Sequence, residues 1–175
     1  MMRSLAVLAL LSLTSLAPVS AAEPPRLAVF DLEMIDTSLQ DPTRGLRADD
    51  RDRLQRTSDQ LRNELGGSGK FQVVDISSIN AAAHQSNLQA CGGGCDVKLA
   101  QQLDADLEIT GVVQKISNLI LNIRLYLRDA HTGRLFAAVN ADMRGDTDES
   151  WSRTIRYLVH ERLLAPNYGA PQARQ

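Results

Sequence analysis

The chain has 175 residues, 43% of them hydrophobic and only 4% aromatic, with 19 Lys and Arg against 21 Asp and Glu. That slightly acidic balance leaves no basic footprint for nucleic acid, and after the first 22 residues no apolar run is long enough to span a bilayer. Aliphatic side chains must therefore fill whatever core the chain builds.

Residues 1–22 read as a secretory signal peptide: Arg3 near the start, an apolar run from Leu5 to Leu16, then Pro18 and the small residues Ser20-Ala21-Ala22. Cleavage after Ala22 suits the small-residue rule better than cleavage after Ala21. No cysteine stands at this junction to accept a lipid anchor, so the expectation is a freely diffusing periplasmic protein. Without Arg3 it carries 18 basic and 21 acidic side chains, a net charge of minus 3. About 150 residues suit one domain, placed at 23–165, with 166–175 as a flexible tail.

Leu27 to Met34 and Phe71 to Ile76 are short β-rich runs. Between them, Asp49 to Leu65 carries Leu54, Ser58, Leu61 and Leu65 on one helical stripe, ended by Gly66-Gly67. Ser78 to Gln85 and Asp96 to Leu103 are further helix candidates. Leu107 to Ile116 reads as a strand, joined through a tight Ser117-Asn118 link to the clearest signal in the chain. From Leu119 to Met143 two alternating runs flank Asp129-Ala130-His131-Thr132-Gly133, which predicts a β-hairpin. Setting Arg128 opposite Arg134 pairs Leu127 with Leu135, Leu125 with Ala137, Ile123 with Val139, Leu121 with Ala141 and Leu119 with Met143. The odd-numbered face is then wholly apolar, and a slip of one residue would bury Asn122, Arg124, Asn140 and Asp142 instead. Last, Asp146 and Glu149 form a capping-box pattern before a helix with Trp151, Ile155, Leu158 and Val159 on one side. The fold class is α/β (α+β): a βαβ unit, then a helix, a three-stranded antiparallel meander and a C-terminal helix, in one mixed sheet packed with helices.

This order, with "LAVFDLEM" near the start and the string from Cys91 through "CDVKLAQQLDADLEITGVVQKISNLILNIRLYLRDAHTGRLF", resembles a group of bacterial envelope domains. The group includes the periplasmic domain of the curli secretion lipoprotein, the amino-terminal domain of the Tol translocation protein and the lipoprotein activator of penicillin-binding proteins. "VQKISNLILNI" and "GDTDESW" also resemble a small exported family of unknown function. The resemblance covers nearly the whole mature chain and implies a non-enzymatic accessory role in the envelope. The missing lipid-accepting cysteine departs from the lipoprotein members.

Cys91 and Cys95 are the only cysteines, and in an exported chain the pair reads as a disulfide. Gly92-Gly93-Gly94 lets the chain fold back, and so short a loop stabilises by roughly 2 kcal/mol. The C-x3-C spacing fits neither a redox C-x-x-C motif nor haem attachment, and zinc lacks further ligands. Gly66-Gly67-Ser68-Gly69-Lys70 imitates a phosphate loop but runs from helix to strand and is followed by Phe71 where Ser or Thr is needed. His160-Glu161 lacks the second His of a zinc-protease motif, with Leu164 in its place. Ser68 has no nucleophile elbow around it, and His131 is a polar loop residue. Asp36, Asp41, Asp49, Asp50 and Asp52 could gather a hard cation, although Asp49 and Asp50 equally suit a helix start.

No nucleophile, base and orienter converge in any motif, so the reading is a non-catalytic protein without cofactor. It is an accessory of an envelope assembly or periplasmic oxidation system that works through a protein partner. The alternative is a small-ligand or metal-binding protein using the acidic stretch. The expected partner surface is the polar face of the hairpin, with Tyr126 opposite Phe136 among Arg124, Arg128 and Arg134, since Tyr and Arg are typical interface anchors; the alternative is that a helix covers this face and Tyr126 and Phe136 are second-layer core.

Overall fold

The computed structural model describes residues 23–38 and 45–166. The expected leader, Asp41 of the acidic stretch and nearly all of the expected tail fall outside these residues. No helix among the described residues is long and apolar enough to cross a membrane.

Six strands form one mixed sheet: β1 Arg26–Val29, β2 Glu33–Asp36, β3 Gln72–Val73, β4 Leu107–Ser117, β5 Ile120–Asp129 and β6 Leu135–Arg144. The order is β3-β1-β4-β5-β6, with β2 also alongside β4. The helices are α1 Ala48–Gly67, α2 Asn80–Gln85, α3 Leu88–Cys91, α4 Cys95–Gln101 and α5 Asp148–Tyr157, the last continued by a π-helical segment Leu158–Leu164. This is the expected α+β architecture. The short α3 had no signal in the sequence.

One face of the sheet holds the main core. Leu54, Leu61 and Leu65 of α1 and Trp151, Ile155, Leu158 and Val159 of the last helix pack on Leu107, Ile109, Val113, Leu121, Ile123, Leu125 and Leu127. Each such aliphatic side chain contributes about 1.5–3 kcal/mol by leaving water. A smaller cluster on the opposite face joins Ala28 and Phe30 to Ile79, Ala83, Leu88, Leu99 and Ala100. The described helices on that side lie over β1 and the adjoining part of β4, and reach Glu33 of β2 and Arg128 at the end of β5.

The single strand expected over Leu27–Met34 is two strands. Leu27, Ala28 and Val29 pair in parallel with Leu107, Glu108 and Ile109, whereas Glu33 to Asp36 pair with Val112 to Lys115. Three residues, Phe30 to Leu32, thus face two, Thr110 and Gly111, and the extra residue breaks the ladder. The Leu32 amide leaves the sheet and donates to the Ser58 hydroxyl at 2.9 Å. Gly111 makes room for this. A Cβ there would lie 2.4 Å from Leu32 Cδ2 and 2.7 Å from Leu125 Cδ2. Gly111→Ala is therefore expected to cost about 1–3 kcal/mol by overpacking, read as a lowered urea midpoint; a midpoint equal to that of the native chain would show that the break does not depend on Gly111.

The strand expected over Phe71–Ile76 is only Gln72–Val73, paired with Arg26 and Leu27 of β1. The hairpin register differs from expectation by two residues: Leu127 faces Ala137, Leu125 faces Val139, Ile123 faces Ala141 and Leu121 faces Met143. Arg128 faces Leu135, so Phe136 is an inserted residue. A shift of two keeps every side chain on its face, and the odd face is buried as expected from Leu121 to Leu127. It fails at Leu119, which lies in the turn before β5 and is 72% exposed, and at Leu135, moved to the other face by the insertion. Ser117 pairs with Ile120, so the tight link is Asn118-Leu119.

The last helix is capped one residue later than expected. Thr147 Oγ1 accepts the Ser150 amide, and the Ser150 hydroxyl accepts the Thr147 amide. Asp146 is engaged elsewhere, accepting Trp151 Nε1 at 3.0 Å and pairing with Arg53 and Lys115.

Candidate functional site

Strand alternation sends Asn122, Arg124, Tyr126 and Arg128 of β5, with Ala138, Asn140, Asp142 and Arg144 of β6, away from the main core. Since α3 and α4 lie over β4, no other described element covers this part of the sheet: Arg124, Ala138, Asn140, Asp142 and Arg144 are exposed and Asn122, Tyr126 and Arg128 half-buried. Ile116 and Ile120 are about half exposed at one end of it, and Ile35 on neighbouring β2 is similar. Arg47, Arg53, Arg56, Arg62, Arg128 and Arg153 have carboxylate partners. Among the described residues Arg124, Arg134 and Arg144 have none. Asp142, the carboxylate on this face, accepts from the Asn122 side-chain amide at 2.8 Å.

The expected partner residues do not form one cluster. Tyr126 faces Ala138 rather than Phe136, because the inserted residue turns Phe136 toward the main core, against which it packs half-buried. Arg134 lies over the Phe136 ring, 4.6 Å from its centre. Arg128 is within 5.5 Å of the Tyr126 ring centre, but its charge is directed inward. Its Nε is 3.5 Å from Asp96 Oδ2 and 3.4 Å from Glu108 Oε1. Arg124 and Tyr126 remain together on the uncovered face.

The Asp96, Glu108 and Arg128 group had no sequence signal. Glu108 lies within the strand read over Leu107 to Ile116, and only packing of α4 on β4 brings Asp96 beside it. Asp96 and Glu108 are fully buried, and neither Glu108 carboxylate oxygen accepts a hydrogen bond. Burial first, and then the Asp96 charge, push the Glu108 carboxyl up to about 8, against the opposing pull of Arg128.

Cys91 and Cys95 are joined in a disulfide, with α-carbons 5.3 Å apart. Gly92 and Gly93 have positive φ, and the Gly94 amide donates to the Cys91 carbonyl at 3.0 Å. The helix that follows starts at Cys95, one residue before the expected Asp96, whose carboxylate instead accepts the Gly93 amide at 3.1 Å.

The acidic stretch is dispersed. Asp50 is buried against Lys115 at 3.2 Å, Asp49 pairs with Arg47, and Asp36 accepts the Ser38 amide. Among the described residues no three His, Cys, Asp or Glu side chains are arranged to hold a metal. A groove of about 840 Å³ lies between α1 and the α2–α3 segment, lined by Asp31, Met34, Arg51, Leu54 and His84 among others. His84 Nε2 is 3.1 Å from Asp31 Oδ2, but the nearby Ser58 hydroxyl is held by the Leu54 carbonyl and the Leu32 amide. It is no free nucleophile. The phosphate-loop imitation is the end of α1 and the link to β3, where Lys70 Nζ donates to the Leu164 carbonyl. His160 lies 3.4 Å from Glu64 and His131 3.5 Å from Asp106.

The DUF3280 family model, described as "Protein of unknown function (DUF2380)", matches residues 25–163. Among solved structures, the LpoB C-terminal domain from Salmonella enterica aligns at 15% identity and a TM-score of 0.50, covering 72% of this chain and 87% of that one. Lipoprotein GNA1162 from Neisseria meningitidis gives 13% and 0.51, covering 79% and 97%. PelC from Paraburkholderia phytofirmans, a dodecamer, gives 13% and 0.50, covering 89% and 93%. At these identities the likeness is one of fold. It does not single out the curli or Tol proteins. No curated protein sequence matches the chain.

Proposed function

Since this chain belongs to the DUF3280 family, whose description assigns no activity, we propose that it is a non-catalytic accessory protein of the cell envelope that acts by binding another protein. The observation that carries this reading is the uncovered face of β4–β5–β6. It combines Arg124 and Arg144, which have no carboxylate partner among the described residues, with Tyr126 and the half-exposed Ile116 and Ile120. Arginine and tyrosine beside aliphatic surface are the chemistry of a binding centre. The leader-like residues 1–22 support delivery to the periplasm, and the fold shared with a lipoprotein such as GNA1162 supports an envelope setting.

The test is a photo-crosslinking residue placed at position 124, with position 153 on the exposed side of α5 as control, in the organism that makes the protein. A discrete adduct from 124 and none from 153 is expected, and Tyr126→Ala or Ile120→Asp should abolish it while leaving the melt unchanged. No adduct from 124, or the same adducts from both positions, would overturn the proposal. The groove between α1 and α2–α3, with its Asp31–His84 pair, favours a second reading as a small-ligand site. A ligand-dependent rise in melting midpoint that His84→Ala removes would support it.

A further inference from the structure

We infer that Asp96, Glu108 and Arg128 form a proton-linked latch holding the disulfide-closed loop Gly92–Gly94 against the β5–β6 turn at Gly133. Three elements supply it. Glu108 of β4 and Arg128 of β5 are direct cross-strand partners, and Asp96 comes from the first turn of α4. Asp96 ties the loop to the group, because its Oδ2 accepts the Gly93 amide while lying 3.5 Å from Arg128 Nε. The loop then touches the turn through bare backbone: a Cβ on Gly93 would lie 3.1 Å from the Gly133 carbonyl oxygen. The disulfide closes the loop at its base, so Gly93 cannot withdraw far without moving Asp96.

Charge makes this closure depend on pH. Two buried carboxylates share one guanidinium, and no hydrogen-bond donor reaches either oxygen of Glu108. With both carboxylates ionised the closed site carries an excess negative charge away from water; a proton on Glu108 removes it. The charged groups facing Glu108 are Asp96 from α4 and Arg128 from β5, while its β1 neighbour, Ala28, brings none. The Glu108 carboxyl, pushed up to about 8 in the closed form, returns toward its ordinary value near 4.5 when the loop opens to water. A raised value in the closed state means that closing takes up a proton. Closure is fully favoured below pH about 4.5, and its equilibrium constant then falls about tenfold per pH unit until pH about 8.

The test is the rate at which a phosphine reductant cleaves the Cys91–Cys95 disulfide in the folded full chain, divided by its rate on the cyclic peptide Cys-Gly-Gly-Gly-Cys under the same conditions. Trp151 fluorescence verifies that the domain stays folded. From pH 6 to pH 8 the normalised rate should rise at least about tenfold in the native chain, within the linkage limit. In Glu108→Gln, which keeps the shape but cannot ionise, it should be flat. A pH-independent rate in the native chain, or an unchanged slope in Glu108→Gln, would overturn the latch. Should Glu108→Gln not fold, Asp96→Asn takes its place, and the rise must then move to lower pH because Glu108 loses its repelling neighbour. The outcome is independent of whether the uncovered face binds a protein.

Discussion

Ile123→Asp is expected to unfold the domain, and Arg124→Asp, one residue away, to leave the urea midpoint almost unchanged. Ile123 is wholly buried in the middle of the central strands, between Val113 on β4 and Ala141 on β6. A carboxylate there has no partner in the main core, and its burial costs several kcal/mol against a total stability of about 5–15 kcal/mol for a typical domain. Arg124 is exposed, with Val112 and Asn140 as its cross-strand neighbours. Substitutions at such positions stay within roughly 0.5 kcal/mol. Circular dichroism with urea melts decides the matter. If both variants melted alike, the assignment of faces on which the core and the binding surface depend would be wrong.

Lys115→Met should be nearly as damaging for the opposite reason, the removal of a charge. Lys115 is wholly buried, with Nζ 3.2 Å from Asp50 Oδ1 and 2.7 Å from Asp146 Oδ2. Burial works against its charge, but hydrogen bonds to Asp146 and Asp50 outweigh it and raise the pKa above the ordinary lysine value. Methionine fills much of the same volume, so the loss isolates the electrostatics. Asp50 would keep only the looser contact with Arg53 at 3.6 Å, while Asp146 would keep Arg53 at 2.8 Å. Leaving a buried carboxylate so poorly compensated costs about 3–5 kcal/mol. Adding Asp50→Asn to Lys115→Met should restore a large part of this, giving a coupling of more than about 1 kcal/mol in a double-mutant cycle. Strictly additive losses would mean that Lys115 does not stabilise the fold through Asp50.

What could be read from the chain was what depends on local periodicity. The stripe Leu54, Ser58, Leu61 and Leu65 is the buried side of α1, and the alternation from Leu121 to Leu127 assigned the core face correctly although the register was two residues out. The two errors share a cause. Each involves an inserted residue, at Phe136 and in Phe30 to Leu32, which shifts the register by one and reverses the faces beyond it; apolar residues on both faces, Leu135 beside Phe136 and Ala28 and Phe30 beside Leu27 and Val29, hide that reversal in the sequence. The first separated Tyr126 from Phe136 and dissolved the expected aromatic pair; the second divided a strand. Contacts between distant segments were beyond reach for a different reason. Nothing in "CDVKLAQQL" says that Asp96 will meet Glu108 and Arg128, since that meeting follows from the docking of α4. Likewise nothing beside Lys115 in the sequence says that Asp50 and Asp146 will be brought to it.

The interrupted edge formed by β1 and β2 bears on the order in which the sheet can be assembled. Both strands take their partners from β4, about 80 residues further along the chain, whereas β4, β5 and β6 follow one another through short turns. Closing a long loop costs more entropy than closing a short turn. The meander is thus the cheap part of the sheet and the amino-terminal strands the expensive part. The apolar run Leu27-Ala28-Val29-Phe30 has only the two residues of β3 to pair with until Leu107 arrives, so more than half of this chain must be present before its first strand has a lasting neighbour.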